Sequence, residues 1–172
     1  LPSVAAPRGR ALAVPVAIAA LVAAAAWPAL DGDFLGDDFG YVQLFHAKPL
    51  ASLLRLGDVS EGIWGQPLDE LRPAFALFNK LRLLLHGAGP GALHASNLAL
   101  HVAVCLVLYA LVRTLVPGRR RTAVAAALVF GLMPVHVEPI SWITGTVDSL
   151  PTLFYVGCVW QFARFRRGRG PG

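Results

Sequence analysis

Two adjacent carboxylates, Asp37 and Asp38, follow the first long apolar segment of the sequence. Like charges held together are unfavourable unless a cation, a hydrogen-bond donor or a reaction uses them. A carboxylate tuned by such a neighbour can act as a general base or bind a metal ion. The alternative is a simple acidic turn, because 31–33 and 36–38 are both turn-like. Asp37 and Asp38 are therefore the candidate catalytic residues.

A second polar group lies in the stretch 133–148, which contains His136, Glu138 and Asp148. Its two prolines and its glycine predict a shaped loop, and irregular backbone at membrane depth has to line protein or a cavity. These three residues are candidates for substrate binding. The structural alternatives are an ion pair between His136 and Glu138, and a helix N-cap at Asp148.

Four further polar residues are candidates for substrate binding. His94, Asn97 and His101 have the spacing i, i+3 and i+7, which places them on one narrow stripe of a helix. Hydrogen bonds between helices are the alternative role for that stripe. Arg72, just before Pro73, carries a guanidinium suited to a phosphate group, or it simply extends to the membrane interface.

The composition predicts that these residues belong to a membrane protein. Hydrophobic residues make up 56% of the chain and charged residues 15%, and the mean hydropathy is +0.60. Because a helix needs about 20 apolar residues to cross a bilayer, we predict an all-α membrane protein with about four transmembrane helices. The predicted spans are 11–30, 93–116, 122–137 and 150–165.

Charged residues alternate in sign between the loops that join these spans. Ten arginines lie before the first span, at or between the facing ends of the second and third spans, or at and after the end of the fourth span. All ten carboxylates lie in the two other loops. Since Lys and Arg accumulate in cytoplasmic loops, both termini are predicted cytoplasmic and the acidic loops extracytoplasmic. The first span has an alternative reading as a cleaved signal peptide. The net charge of +5 comes from basic residues at the ends of the spans, where they anchor the helices against anionic lipid, so no nucleic-acid partner is expected.

The first outer loop, 31–92, is too long and too apolar to be a passive connector. Near-helical apolar spacing predicts interfacial amphipathic helices at 40–56, with a break at Pro49, and at 71–85. In the second helix, Lys80 and Arg82 are predicted on the polar face together with Arg72.

Motifs for nucleotide binding, serine hydrolases and zinc proteases are absent from the sequence, and the cytoplasmic loops are too short for a nucleotide-binding domain. A divalent cation near the aspartates is the one cofactor that the residues suggest. The chain begins at Leu1 rather than Met and ends soon after a span, which predicts a fragment.

The order of these motifs resembles the start of the polytopic GT-C glycosyltransferases. The matching segments are Asp37-Asp38, 72–101 with its His-x-x-Asn-x-x-x-His pattern, and 134–148 with Pro-Val-His-x-Glu-x-x-x-Trp-Ile-x-Gly-x-x-Asp. The closest resemblance is to the transmembrane and tetratricopeptide-repeat O-mannosyltransferase group and its bacterial relatives. It implies that the chain is the N-terminal part of a GT-C-like transmembrane domain.

The resemblance implies transfer of a sugar, such as mannose, from a polyprenyl-phosphate donor to a protein or glycan acceptor. Asp37 or Asp38 would then face the donor, while His136 and Glu138 would close the cavity from the other side. The expected location is a bacterial inner membrane, with the site periplasmic. The alternative class is a noncatalytic membrane module, either a transporter piece or an assembly partner.

Overall fold

Helices form the architecture of the protein. A computed structural model describes residues 8–53 and 72–168, and within these ranges every regular element is a helix. The all-α class is therefore confirmed. The α-helices are α1 Arg8–Ala26, α2 Asp38–Ala47, α3 Leu50–Leu53, α4 Pro73–His86, α5 Pro90–Leu115, α6 Arg120–Leu132, α7 Val137–Ser141 and α8 Thr146–Gly168. Short 3₁₀ turns lie at Trp27–Asp31, Pro134–His136 and Ile143–Gly145.

Among the described residues, two helices are long and apolar enough to cross a membrane. One is Leu12–Asp31, which consists of most of α1 and the 3₁₀ turn that follows it, and the other is Pro90–Leu115. The pair Arg120–Leu132 and Pro134–Ser141 would make a third span, bent by 54°. Helices thus lie over the first three predicted spans. The fourth, 150–165, lies within α8, which is not apolar enough for the same criterion, so its transmembrane character stays a prediction.

Small residues let α1, α5 and α6 approach closely, as is usual where helices meet in a membrane. Ile18 and Val22 of α1, Cys105 of α5 and Ala127 of α6 form one buried cluster. Gly131 lies beside this cluster, and a Cβ atom there would come within 2.7 Å of a Val22 methyl and 2.9 Å of the Cys105 sulfur. A larger residue at 131 would therefore have to displace the Val22 or Cys105 side chain.

The central helix α5 runs parallel to α8, and the two are bonded at their C-terminal ends. The Trp160 indole N–H donates to the Thr114 hydroxyl at 3.1 Å, and Arg167 donates to the Leu115 carbonyl at 2.9 Å. The first turns of α5 instead contact the 139–143 segment that precedes α8. The arginine-rich helix ends and the candidate polar residues consequently lie at opposite ends of the bundle.

The segment 31–92 contains helices where the sequence predicts them. α2 ends at Ala47, next to the break at Pro49, and α4 occupies the second predicted helix. Phe45 and Phe75 pack edge to face at 5.6 Å, and Lys80 donates to the Phe45 carbonyl at 2.8 Å. Residues 54–56 and 71 of the two predictions lie outside the described residues. Gly87, with φ of 75°, ends α4 and turns the chain toward α5.

Candidate functional site

The two neighbouring aspartates have different surroundings. Asp38 is 0% exposed, and its carboxylate accepts four hydrogen bonds. One comes from the backbone N–H of Leu35, and the others come from the N–H of Ile143 and from the N–H and hydroxyl of Thr144, at 2.9 to 3.2 Å. Asp38 thus joins two segments that are about a hundred residues apart in the chain.

The segment that Asp38 binds is the tight turn before α8. The 3₁₀ turn Ile143–Gly145 leads directly into α8, and its first N–H groups have no helical partner of their own. The Asp38 carboxylate accepts from them, as an N-cap side chain would. Gly145 completes the turn, because a Cβ there would lie only 2.7 Å from the backbone of Pro139. The position of this turn therefore depends on Asp38.

Asp37 is half-buried and makes one side-chain contact. Its Oδ1 accepts the indole N–H of Trp142 at 3.0 Å. No other side chain or backbone group within 8–53 and 72–168 donates to its carboxylate. Oδ2 of Asp37 thus has no donor among the described residues, whereas both carboxylate oxygens of Asp38 are bonded within the fold.

A buried cation lies behind the same turn. Arg82 of α4 is 4% exposed, and its Nη2 donates to Asn79 Oδ1 at 2.6 Å and to the Ile143 carbonyl at 2.7 Å. Its Nη1 donates to Asn97 Oδ1 at 2.6 Å and also contacts Ser96. Burial lowers the pKa of Arg82 to about 10, and the nearby negative charge of Asp38 opposes the shift. Arg82 therefore remains a cation at neutral pH.

Asn97 is the most connected residue of the α5 stripe. Its Nδ2 lies within hydrogen-bond distance of the carbonyl oxygens of Pro139, Trp142 and Ile143, and the shortest distance is 2.7 Å to Trp142. Asn79 bonds in the same way on α4, donating to the Phe75 carbonyl and to the Thr146 hydroxyl. The turn before α8 is thus held from α2, α4 and α5 together.

Arg82 corrects the expectation that it lies on the polar face of an amphipathic helix. Asn79 and Arg82 are buried, while Leu77, Leu84 and Leu85 on the same helix are 39%, 70% and 75% exposed. Polar residues inside and leucines outside are expected where the surroundings are apolar. The prediction failed because it assumed that charged residues of this helix face water.

The two histidines of the stripe are also buried. His94 Nδ1 lies 3.3 Å from the Ile140 carbonyl oxygen, and His101 Nε2 lies 3.1 Å from the Gly131 carbonyl oxygen. The ring of His136, which is half-buried, lies 5.4 Å from that of His101. The stripe thus forms interhelical hydrogen bonds, the alternative role considered for it.

The remaining predicted site residues are more exposed. Glu138 is exposed, and the described residues include no ion pair between it and His136. Asp148 lies within the first turn of α8 rather than preceding the helix as an N-cap. Arg72 and Asp148 line one cavity of about 450 Å³ with Phe154. Neither aspartate of the pair lines that cavity.

A metal site is not formed by the described residues alone. Residues 8–53 and 72–168 contain no group of three or more His, Cys, Asp or Glu side chains arranged to hold an ion. A divalent cation bound with help from Asp37 therefore stays a prediction.

Comparison with known proteins gives consistent matches. The chain is 34% identical over 160 residues to protein O-mannosyl-transferase TMTC1 of Homo sapiens, covering 87% of this chain and 18% of that protein. It is 26% identical over 164 residues to TMTC3 of Mus musculus, covering 90% and 17%. It is 31% identical over 146 residues to TMTC4 of Homo sapiens, covering 73% and 19%. The chain is a relative of the TMTC proteins. It spans about a fifth of the length of these curated relatives.

The resemblance predicted from the motifs is confirmed by these TMTC matches. No family model matches the chain, and no solved structure matches it. The geometry around Asp37 is therefore known only from the structure of this TMTC-like chain.

Sequence reasoning missed four residues of the site in this TMTC-like chain. Trp142 is a fixed position of the 134–148 motif and Thr144 is a variable one; neither is among the predicted site residues, although both contact the aspartates. Asn79 and Arg82 share the buried face of α4 with Phe75. The signal for this pair was present, because 75, 79 and 82 follow the i, i+4, i+7 spacing of one helical face.

Proposed function

We propose that the protein is a membrane-embedded enzyme that transfers mannose to hydroxyl groups of proteins, and that this chain contributes one wall of its active site. The donor is mannose on a polyprenyl phosphate, and the acceptor is a hydroxyl of a protein. The relatives it matches are named protein O-mannosyl-transferases. In this proposal the site faces the periplasm of a bacterial inner membrane, in keeping with the charge pattern of the loops.

The observation that carries the proposal is that the two adjacent aspartates are bonded differently. A general base needs an ionised oxygen within reach of a substrate, while the groups around it stay rigid. Asp37 has an oxygen that no described residue uses, and Asp38 anchors the turn beside it. We therefore assign the base to Asp37 and a structural role to Asp38.

The proposed reaction is a displacement at the anomeric carbon of the sugar. The acceptor hydroxyl oxygen forms a bond to that carbon, and its proton passes to the carboxylate of Asp37. The bond from the anomeric carbon to the phosphate oxygen breaks, and polyprenyl phosphate leaves with the electron pair. No oxidant or additional reactant is needed.

The leaving phosphate requires a positive group, and Arg72 and Arg82, which lie just before and within α4, differ in exposure. The two Nη atoms of Arg82 bind groups of the protein core, so this cation serves the fold. Arg72 is exposed at the start of α4 and lines the cavity with Asp148. We assign the phosphate contact to Arg72, since a guanidinium can bind two phosphate oxygens at once.

The other predicted binding residues fall into two groups in this proposal, those that contact the substrate and those that support the wall of the site. His136 and Glu138 lie at the bent end of α6 and α7, where they would contact the sugar or the acceptor. His94, Asn97 and His101 are buried and bonded to backbone carbonyls. They would shape the wall that the substrate meets.

The test uses the intact protein in membrane vesicles supplied with polyprenyl-phosphate-linked radioactive mannose. Host membrane proteins and a soluble glycan serve as separate acceptors. Asp37→Asn should lower the transfer rate by about 10²- to 10⁴-fold, the usual contribution of a general base. The matched control is Asp33→Asn in the same loop, since Asp33 is exposed and, within the described part of the chain, its carboxylate accepts only from the next backbone N–H.

Asp33→Asn should transfer mannose at the wild-type rate. An Asp37→Asn protein as active as wild type would refute the assignment of the base. A wild-type protein that transfers no lipid-linked sugar to either acceptor would refute the enzyme proposal and favour a noncatalytic membrane module.

A further inference from the structure

Trp142 is the side chain that connects the buried polar network to Asp37. Its indole N–H donates to Asp37 Oδ1 at 3.0 Å, although the two residues are 105 positions apart. We propose that Trp142 is a positioning residue, which holds the Asp37 carboxylate so that Oδ2 is presented to the acceptor hydroxyl. This inference rests on the proposed function, in which Asp37 is the base.

The backbone around Trp142 is held by buried side chains on both sides. Asn97 donates to the Trp142 carbonyl at 2.7 Å, and the following N–H, that of Ile143, donates to Asp38 at 3.2 Å. Arg82 binds the Ile143 carbonyl at 2.7 Å. Three elements of the fold therefore determine where the indole lies, and the indole in turn determines the direction of the Asp37 carboxylate.

A carboxylate held in one orientation accelerates the reaction more than a carboxylate that rotates freely. An aspartate side chain at a half-exposed site can rotate about two bonds, and only some rotamers place an oxygen near a bound hydroxyl. One indole bond on Oδ1 selects among those rotamers and leaves Oδ2 unbonded by any described residue. Misplacement of a reacting group by about 1 Å can cost about 10²-fold in rate.

Trp142→Phe removes the donor while keeping an aromatic ring, and Trp160→Phe is the matched control. Trp160 also donates its indole N–H from a part-buried position, to Thr114 at 3.1 Å, but at the other end of α8. In the intact protein, Trp142→Phe should lower kcat by about 10- to 100-fold while KM changes by less than about 2-fold. Trp160→Phe should leave both constants within about 2-fold of wild type.

The decisive measurement repeats the substitution in an Asp37→Asn protein. Because Trp142 acts through Asp37, Trp142→Phe should change the residual rate of Asp37→Asn by less than about 2-fold. A purely structural role would lower the rate in both backgrounds and would leave the thermal unfolding midpoint below that of Trp160→Phe.

Two results would overturn the inference alone. One is a Trp142→Phe protein as active as Trp160→Phe, and the other is a further large loss in the Asp37→Asn background. Failure of the proposed function gives a different result: either the wild type transfers no mannose, or Asp37→Asn is as active as wild type. Either of those results removes both proposals.

Discussion

Replacing Asp38 by Asn tests whether the buried carboxylate holds the site together. The substitution keeps the shape of the side chain but replaces one acceptor oxygen with an NH2 group. If that group takes the place of Oδ2, it faces the N–H groups of Leu35 and Ile143. If it takes the place of Oδ1, it faces the N–H of Thr144, whose hydroxyl can rotate to accept. One or two donors, buried at Ile143 or Thr144 and part-buried at Leu35, therefore lose their acceptor.

The expected cost follows from these lost bonds. Each buried donor left without an acceptor costs about 1–3 kcal/mol, and the positive charge of Arg82 loses its nearby negative charge. We expect Asp38→Asn to lower the free energy of unfolding by about 2–4 kcal/mol, a large part of the stability of a typical domain. Asp37→Asn should cost less than about 1 kcal/mol, because its amide oxygen can still accept from Trp142.

The assay is equilibrium unfolding of the intact protein in detergent, followed by the helical circular dichroism signal. Wild type, Asp37→Asn and Asp38→Asn are compared under the same conditions. The expected order places Asp38→Asn clearly below the other two. Equal stability of the two variants, within about 0.5 kcal/mol, would show that Asp38 does not anchor the turn before α8.

Other substitutions test the same network and the helix packing, using the same unfolding assay. Arg82→Lys should cost about 2–4 kcal/mol, because a single ammonium cannot reach Asn79, Asn97 and the Ile143 carbonyl together; a stability equal to wild type would contradict this. The folded-state pKa of Arg82, about 10, lies below the ordinary value of a guanidinium, so the cost of burying its charge is constant at lower pH and falls only above about pH 10. Stability measured below about pH 9 should therefore show no titration of Arg82. Gly131→Ala should cost about 1–3 kcal/mol by overpacking α6 against α1 and α5. Gly157→Ala, where a Cβ meets nothing within 4 Å, should be neutral or stabilise α8 by up to about 1 kcal/mol; equal effects at the two glycines would refute the packing argument.

The helices of this protein could be predicted from the sequence because their signals are local. Apolar runs of span length, Pro49 and the glycines before Pro90 each act within a few residues. The structure places helices at the predicted spans and breaks α2 from α3 next to Pro49. α4 was also predicted as a helix, but the direction of its polar face was wrong, since hydrophobic periodicity gives a face without saying whether water or lipid lies against it.

The candidate site could be predicted only in part. The sequence showed that Asp37 and Asp38 form an unusual pair and that the α5 stripe is polar. It predicted a shaped loop at 133–148, where the structure instead has short helical turns and the start of α8. It did not show that Asn97 and Arg82 bind the backbone of that loop. Such bonds depend on where backbone carbonyls lie after folding, and no residue type or spacing records this.

By itself, the sequence determined that this chain is a helical membrane protein, and it determined the order in which polar groups interrupt the helices. Only the tertiary structure decided that Asp38 bonds to the turn before α8 and that, among the described residues, Asp37 bonds through one oxygen only. The physical reason is that burial and hydrogen bonding of a carboxylate depend on its partners. For this pair those partners are mainly Trp142, Ile143 and Thr144, which folding brings from a hundred residues away.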